Sequence, residues 1–265
     1  MRVPKPALWK EVNMNLFDLT GKVAMVTGST RGLGETSAKA LAKAGADVAV
    51  CGRNPADLKR VPAEIRAMGR KSAGFELDVL SKEKVKKGVE QILNHFGRID
   101  ILVNNAGTNY RVPVLEYPED KWDLIINTNL KGYFLVAQAV VPQMIERGYG
   151  KVINMSSIFG KVALAAQLAY AASKGGVEQI TKVMAIEWAK LGVRVNAIGP
   201  TYFETDMVRQ IRNDHARFNF INERTPMGRW GYLPELEGTV IFLAAPASDF
   251  ITGQTIYVDG GWTIW

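Results

Sequence analysis

Seven short runs rich in β-branched and apolar residues, spaced by longer stretches of helical periodicity, constrain the architecture of this chain. They are KVAMVTG (22–28), DVAVCG (47–52), SAGFELDV (72–79), IDILVNNAG (99–107), KVINMSS (151–157), RVNAIGP (194–200) and TIYVDGG (255–261). Between them lie segments such as GLGETSAKALAKAGA, in which Ala38, Leu41, Ala42 and Gly45 share one helical face. Strands apolar on both sides, alternating with helices, predict an α/β fold: a doubly wound parallel sheet of about seven strands with helices on both faces. With 265 residues and 47% apolar content there is material for one such domain, expected over 16–265.

Two segments stand outside this rhythm. Residues 1–15 carry charge but no apolar run of signal-peptide type; they read as an irregular extension, with Met14 as an alternative start. Residues 201–234 mix aromatic, charged and helical stretches after the sixth run. An excursion at the carboxyl edge of a parallel sheet is where a substrate lid sits.

The net charge of +7 is spread along the chain, which argues against nucleic acid as a partner. A single cysteine, Cys51, excludes an intrachain disulfide and a multi-cysteine metal site. The two histidines, His95 and His215, lack metal-ligand spacing, so no metal is expected. The apolar stretch VALAAQLAYAA is too short to span a bilayer. A cytoplasmic protein without a membrane partner is the expectation.

The first run leads through Thr27-Gly28-Ser29-Thr30-Arg31-Gly32-Leu33-Gly34 into a helix. Gly28 permits a tight turn, Gly32 a close approach of backbone to phosphate, and Gly34 close packing of helix on sheet. The helix N-terminus adds N–H groups and a positive dipole for a pyrophosphate. The second run ends Cys51-Gly52-Arg53-Asn54, without the carboxylate that binds the ribose hydroxyls of NAD. Arg53, helped by Arg31, is placed to pair with a 2′-phosphate, so NADP(H) is expected in preference to NAD(H). Asp78 and Val79, ending the third run, are candidates for the adenine edge. Asn105 and Gly107, ending the fourth, belong to a stretch whose backbone can pass close to a ribose.

Ser157, Tyr170 and Lys174 follow one another at intervals of thirteen and four residues. If 164–191 is a helix, Tyr170 and Lys174 lie one turn apart on one face. An ammonium there would move the tyrosine pKa down from about 10 toward neutrality. A tyrosine so tuned exchanges a proton with a substrate oxygen, which Ser157 would also hydrogen-bond. The three fit the interconversion of an alcohol and a carbonyl. A second Tyr-x-x-x-Lys pair, Tyr117 and Lys121, has Pro118 directly after the tyrosine and reads as a loop entering a helix.

Together TGSTRGLG, LDV, NNAG, NTNLKG, Ser157 with YAASK, and VDGGW resemble the short-chain dehydrogenase/reductase family, from about residue 16 to the C-terminus. The resemblance implies a single Rossmann domain with seven parallel strands, a homotetramer, and a small carbonyl or alcohol substrate. By position it makes Tyr170 the acid/base and Ser157 the group that polarises the substrate oxygen. Lys174 then lowers the tyrosine pKa and holds nicotinamide ribose hydroxyls. Asn129, rather than Asn127, matches the fourth member, at a helix kink holding a water in a relay to Lys174. Thr205 matches a contact at the nicotinamide end. Pro200-Thr201 departs from the family's usual Pro-Gly.

The segments TNYRVPVLEYPEDKW and GRWG…DFITGQTIYVDGGW are similar to branches of the family acting on sugar acids such as gluconate. Arg111, Lys161, and Arg209 or Arg212 are then candidates for a substrate carboxylate. One alternative is a 3-oxoacyl carrier-protein reductase, with Tyr202, Phe203, Phe218 and Phe220 lining an acyl tunnel. Another is a non-catalytic NADP(H)-binding sensor.

Overall fold

The computed structural model describes residues 16–205, 208 and 214–264; the expected extension 1–15, together with Arg209 and Arg212, lies outside the described residues. All seven runs form strands: β1 Val23–Thr27, β2 Asp47–Gly52, β3 Ser72–Glu76, β4 Ile101–Asn104, β5 Gly150–Met155, β6 Val193–Pro200 and β7 Thr255–Val258. They make one sheet in the order β3-β2-β1-β4-β5-β6-β7, with every pairing parallel. The chain winds outward from β1 to β3, then crosses back to lay β4 on the other side of β1. The order reverses between β1 and β4, and their carboxyl ends leave a crevice there.

Helices α1 Gly32–Lys43, α2 Asp57–Ala67, α3 Lys82–Phe96, α4 Glu119–Ile126, α5 Gly132–Glu146 and α6 Leu168–Trp188 connect the strands, and among the described residues between β6 and β7 lie His215–Arg224 and Pro234–Ala244. Leu41, Val61, Ile65, Leu236 and Val240 bury one face of the sheet. Val85, Ile92, Val136, Val140 and Met144 bury the other. Local chemistry sets the helix ends. The Ser81 side chain accepts from Lys84 N (3.2 Å) to start α3, and Gly97, left-handed at φ 78°, ends it. α6 runs 21 residues because Ala169, Ser173, Val177, Thr181 and Met184 repeat on one buried face. It falls inside the expected 164–191 span and ends in a 3₁₀ turn at Ala189–Leu191.

Three strands, β3, β4 and β7, stop three residues short of the ends of the runs that announce them. After β3, the Asp78 carboxylate accepts from Leu80 N (3.1 Å) and turns the chain. After β4, the backbone N–H groups of Asn105 and Ala106 leave the ladder for Thr27 Oγ1. After β7, the Asp259 carboxylate takes Gly261 N, Thr263 N and Thr263 Oγ1. The continuous helical run Glu119–Glu146 also has the length and mean hydropathy, 1.3, of a membrane span. Half of that window is buried inside the protein, as in a helix packed on a sheet.

The described part of 201–234 rests on an aromatic cluster of Tyr202, Phe218, Trp230 and Trp262, with Ile221 beneath. Phe203 bridges to Gly231 in parallel register.

Candidate active site

A cavity of about 690 Å³ opens at the crevice between the carboxyl ends of β1 and β4. One of its walls is the glycine turn. Gly28 sits at φ 61°, and a Cβ there would stand 2.9 Å from Ala106 Cα. The turn is pinned from β4: Asn105 Nδ2 donates to Thr27 O (3.0 Å) and Gly28 O (3.1 Å), while Thr27 Oγ1 accepts from Asn105 N (2.9 Å). A Cβ on Gly34 would collide with both Asn105 Nδ2 and Gly28 O. No side chain caps the N-terminus of α1, and Gly32, Leu33 and Gly34 face the cavity. The cradle therefore offers bare N–H groups at a helix start, which fits a dinucleotide pyrophosphate.

Thr30, Arg31, Arg53, Asp78, Val79, Asn105, Gly107 and Thr205 line the same cavity. Three arginines stand near this wall with different fates. Arg60 donates to Thr30 O and pairs with Glu35 and Glu64. Arg31 and Arg53 are exposed and have no carboxylate partner among the described residues. Two unpaired guanidinium groups beside a phosphate cradle fit a further phosphate. The backbone N–H and the Nδ2 of Asn105 are both engaged in holding the turn, so its oxygens are what remains for a ligand.

Ser157, Tyr170 and Lys174 also line the cavity. Ser157 caps the 3₁₀ turn Ile158–Gly160, its Oγ accepting from Phe159 N at 3.3 Å. Lys174 is 3% exposed, and its Nζ donates to Met155 O (2.6 Å) and Tyr133 Oη (3.4 Å). Burial draws its pKa down to about 7. Nζ lies 5.6 Å from the centre of the Tyr170 ring.

The expected depression of the Tyr170 pKa does not hold in this arrangement. Burial raises the phenol above its usual value, against smaller pulls downward from the Ser157 hydroxyl and Arg111. The physical reason is the Lys174 ammonium, which is spent on a backbone carbonyl and is itself destabilised by burial.

Asn129 stands behind the cavity wall, fully buried, in a π-helical turn at Asn127–Lys131 between α4 and α5. Its Oδ1 accepts from Thr108 N (2.8 Å), and its Nδ2 donates to Thr108 O (2.9 Å) and Ser173 Oγ (3.1 Å). The kink expected there is this turn. Tyr117 and Lys121 are elsewhere: Tyr117 donates to Tyr110 O and Lys121 pairs with Asp120.

Arg111 lines the cavity with its Nε buried and unpartnered, and loss of solvent lowers its pKa. Lys161 does not line it, and its Nζ lies over the Tyr257 ring instead. Thr201, in place of the family's glycine, lines the cavity, and its Oγ1 is buried without a partner. Tyr202, Asn109 and Thr108 complete the wall and were not singled out as site residues for a small substrate. Arg217, which does not line the cavity, is close enough to lower the Tyr202 phenol against its burial and was not singled out in the sequence. Met155 acts through its carbonyl, which no side-chain pattern signals.

A family model described as "Enoyl-(Acyl carrier protein) reductase" matches residues 28–263. Gluconate 5-dehydrogenase of Gluconobacter oxydans (strain 621H) is 41% identical over 94% of this chain and 98% of its own. A 2-dehydro-3-deoxy-D-gluconate 5-dehydrogenase of Formosa agariphila is 43% identical over 94% of this chain and 96% of its own. Among solved structures, a gluconate 5-dehydrogenase from Burkholderia cenocepacia J2315 in complex with NADP and tartrate superposes with a TM-score of 0.92. It shares 41% identity, covering 95% of this chain and 98% of that one. The chain belongs to the short-chain dehydrogenase/reductase family, enzymes that act on CH–OH groups with NAD(P).

Proposed function

We propose that the chain interconverts a secondary alcohol and a ketone on a sugar acid of the gluconate/5-ketogluconate type, with NADP(H) in preference to NAD(H). One observation carries this reading: Ser157, Tyr170 and Lys174 share a single cavity with the glycine cradle, two unpaired arginines and Arg111. The names and NADP content of the relatives support it.

NADP(H), when bound, supplies or removes the hydride. The glycine turn would hold its pyrophosphate, Arg31 and Arg53 its 2′-phosphate, and Asp78 with Val79 its adenine. Lys174 would take the nicotinamide ribose hydroxyls and Thr205 the nicotinamide end. Tyr170 Oη moves the proton to or from the substrate oxygen. Ser157 Oγ accepts from Phe159 N, and its O–H, which lies against the Tyr170 phenol, would turn to donate to that same oxygen. Burial keeps the Tyr170 proton in place until it is needed. A lysine with a pKa of about 7 one turn away exchanges protons readily near neutrality and can restore it. Asn129 would hold the water linking that lysine to solvent.

Arg111 and Arg217 have no carboxylate partner among the described residues, and both influence the Tyr202 phenol. A substrate carboxylate would pair the cation whose desolvation is otherwise uncompensated. The acyl-tunnel alternative fits less well, because Tyr202 and Phe203 line the cavity whereas Phe218 and Phe220 do not.

The test is a turnover screen following NADPH absorbance, crossing NADP and NAD with aldonates, ketoaldonates, polyols and acyl thioesters. Turnover of a ketoaldonate is expected. Reduction of short acyl thioesters alone would overturn the substrate class. Tyr170→Phe should lose about a hundredfold or more in kcat while cofactor binding persists. A substantial residual rate would remove Tyr170 from its role.

A further inference from the structure

One turn ahead of Tyr170, the amides of half-buried Asn109 and buried Gln167 are bonded to each other, and each leaves one buried polar atom unmatched. Asn109, which lines the cavity, donates from Nδ2 to Gln167 Oε1 at 2.9 Å. Asn109 Oδ1 and Gln167 Nε2 are buried with no hydrogen-bond partner. Gln167 is 1% exposed and occupies the N-cap position of α6 without a side-chain capping bond, three residues ahead of Tyr170. Turning both amides over leaves the same inventory, one acceptor on one residue and one donor on the other. Ala166, directly before Gln167, holds φ at 62°, a left-handed conformation that L-residues enter at a cost. Orphaned buried amides also cost stability. Two unfavourable features therefore converge on one spot beside the reacting tyrosine.

We propose that Asn109 and Gln167 form a subsite that recognises a hydroxyl on a carbon adjoining the substrate's reacting carbon. A hydroxyl donates and accepts, and so satisfies both orphaned atoms. A carboxylate satisfies only the donor, and a methylene satisfies neither. The subsite deepens the sugar-acid reading and rests on it for the identity of the polyhydroxy substrate. It adds specificity by leaving the amides unmatched when the hydroxyl is missing.

The experiment uses two matched pairs of ketones reduced with NADPH. One pair is 5-ketogluconate with its 4-deoxy and 6-deoxy analogues. The other, free of carboxylate, is acetoin with butan-2-one. Wild type should favour the hydroxylated member by about tenfold or more in kcat/KM. Asn109→Leu and Gln167→Met should bring that ratio toward one, with NADPH affinity unchanged. Thermal stability should hold or rise in the double variant, because apolar groups then replace both members of the bonded pair.

Variants that keep the wild-type ratio, or lose rate equally on both members of a pair, would overturn the subsite. So would a wild type indifferent to the hydroxyl in both pairs, or one that reduces neither. If 5-ketogluconate is not reduced but the acetoin preference collapses in the variants, the sugar-acid reading falls and the subsite stands.

Discussion

Lys174 combines burial, a single strong carbonyl acceptor and a pKa near 7, and these make it a reporter of the site. In the unfolded chain a lysine holds its proton to about pH 10.4. In the folded protein Lys174 gives it up near 7. Between those values the unfolded state binds more protons, so this residue makes stability rise with pH, by at most about 1.4 kcal/mol per unit. Below pH 7 both states are protonated and the contribution is flat. Lys174→Met should remove the rise, seen as a shrinking difference between wild type and variant in urea midpoints from pH 7 to pH 9.5. A constant difference would mean the lysine is charged throughout.

Arg53 offers a second test on one side chain. Exchange to Asp places a carboxylate where the 2′-phosphate is proposed to sit and where ribose hydroxyls could be held. The ratio of NADP to NAD in kcat/KM should fall about tenfold or more. An unchanged ratio would assign the 2′-phosphate to other residues. The convergence of Ser157, Tyr170, Lys174 and Arg53 on one cavity was legible in the chain because their spacing fixes which cavity they reach. The partner of Lys174 was not legible, because it is a backbone carbonyl, and with it the direction of the Tyr170 shift was misjudged.

Among the connecting elements, the π-turn at Asn127–Lys131 matters most to the site. It inserts an extra residue into the run from α4 to α5, so Gly132 N reaches back to Asn127 O. That offset aims Asn129 at both backbone groups of Thr108, which lies on the cavity wall. Asn129→Leu would leave the Thr108 N–H and C=O without their partner. A stability loss of about 2 kcal/mol or more is expected, with a lowered kcat. Urea denaturation beside turnover separates the two effects. Unaltered stability would show that Thr108 finds other partners.

The seven strands were readable as elements because each is an apolar run bounded by turn residues. Their ends were not: Asp78 and Asp259 turn the backbone through hydrogen bonds to residues two and four ahead, inside runs that read as strand, and Asn105 turns it through a bond to Thr27, which only folding brings close. The same reason hid the Asn109–Gln167 pair, whose members stand 58 residues apart.

At the scale of the whole molecule, apolar side chains remain outside the two core layers. Ile186 is 80% exposed and Val183 54%, three residues apart and so neighbours on one face of α6. On α5, beside α6, Phe134 is exposed as well. Large apolar groups left in water on the helices that carry Tyr170 and Asn129 fit burial against another copy of the chain, consistent with the homotetramer expected from the family resemblance. Sedimentation equilibrium of the wild type should give four times the chain mass. Val183→Glu combined with Ile186→Glu places two carboxylates on that face, where burial would leave them unpaired, and should release smaller species. Because α6 also positions Tyr170 and Lys174, dissociation should raise KM and lower the midpoint of thermal unfolding together. A double variant that stays tetrameric with unchanged KM would place the subunit contacts on another face of the sheet.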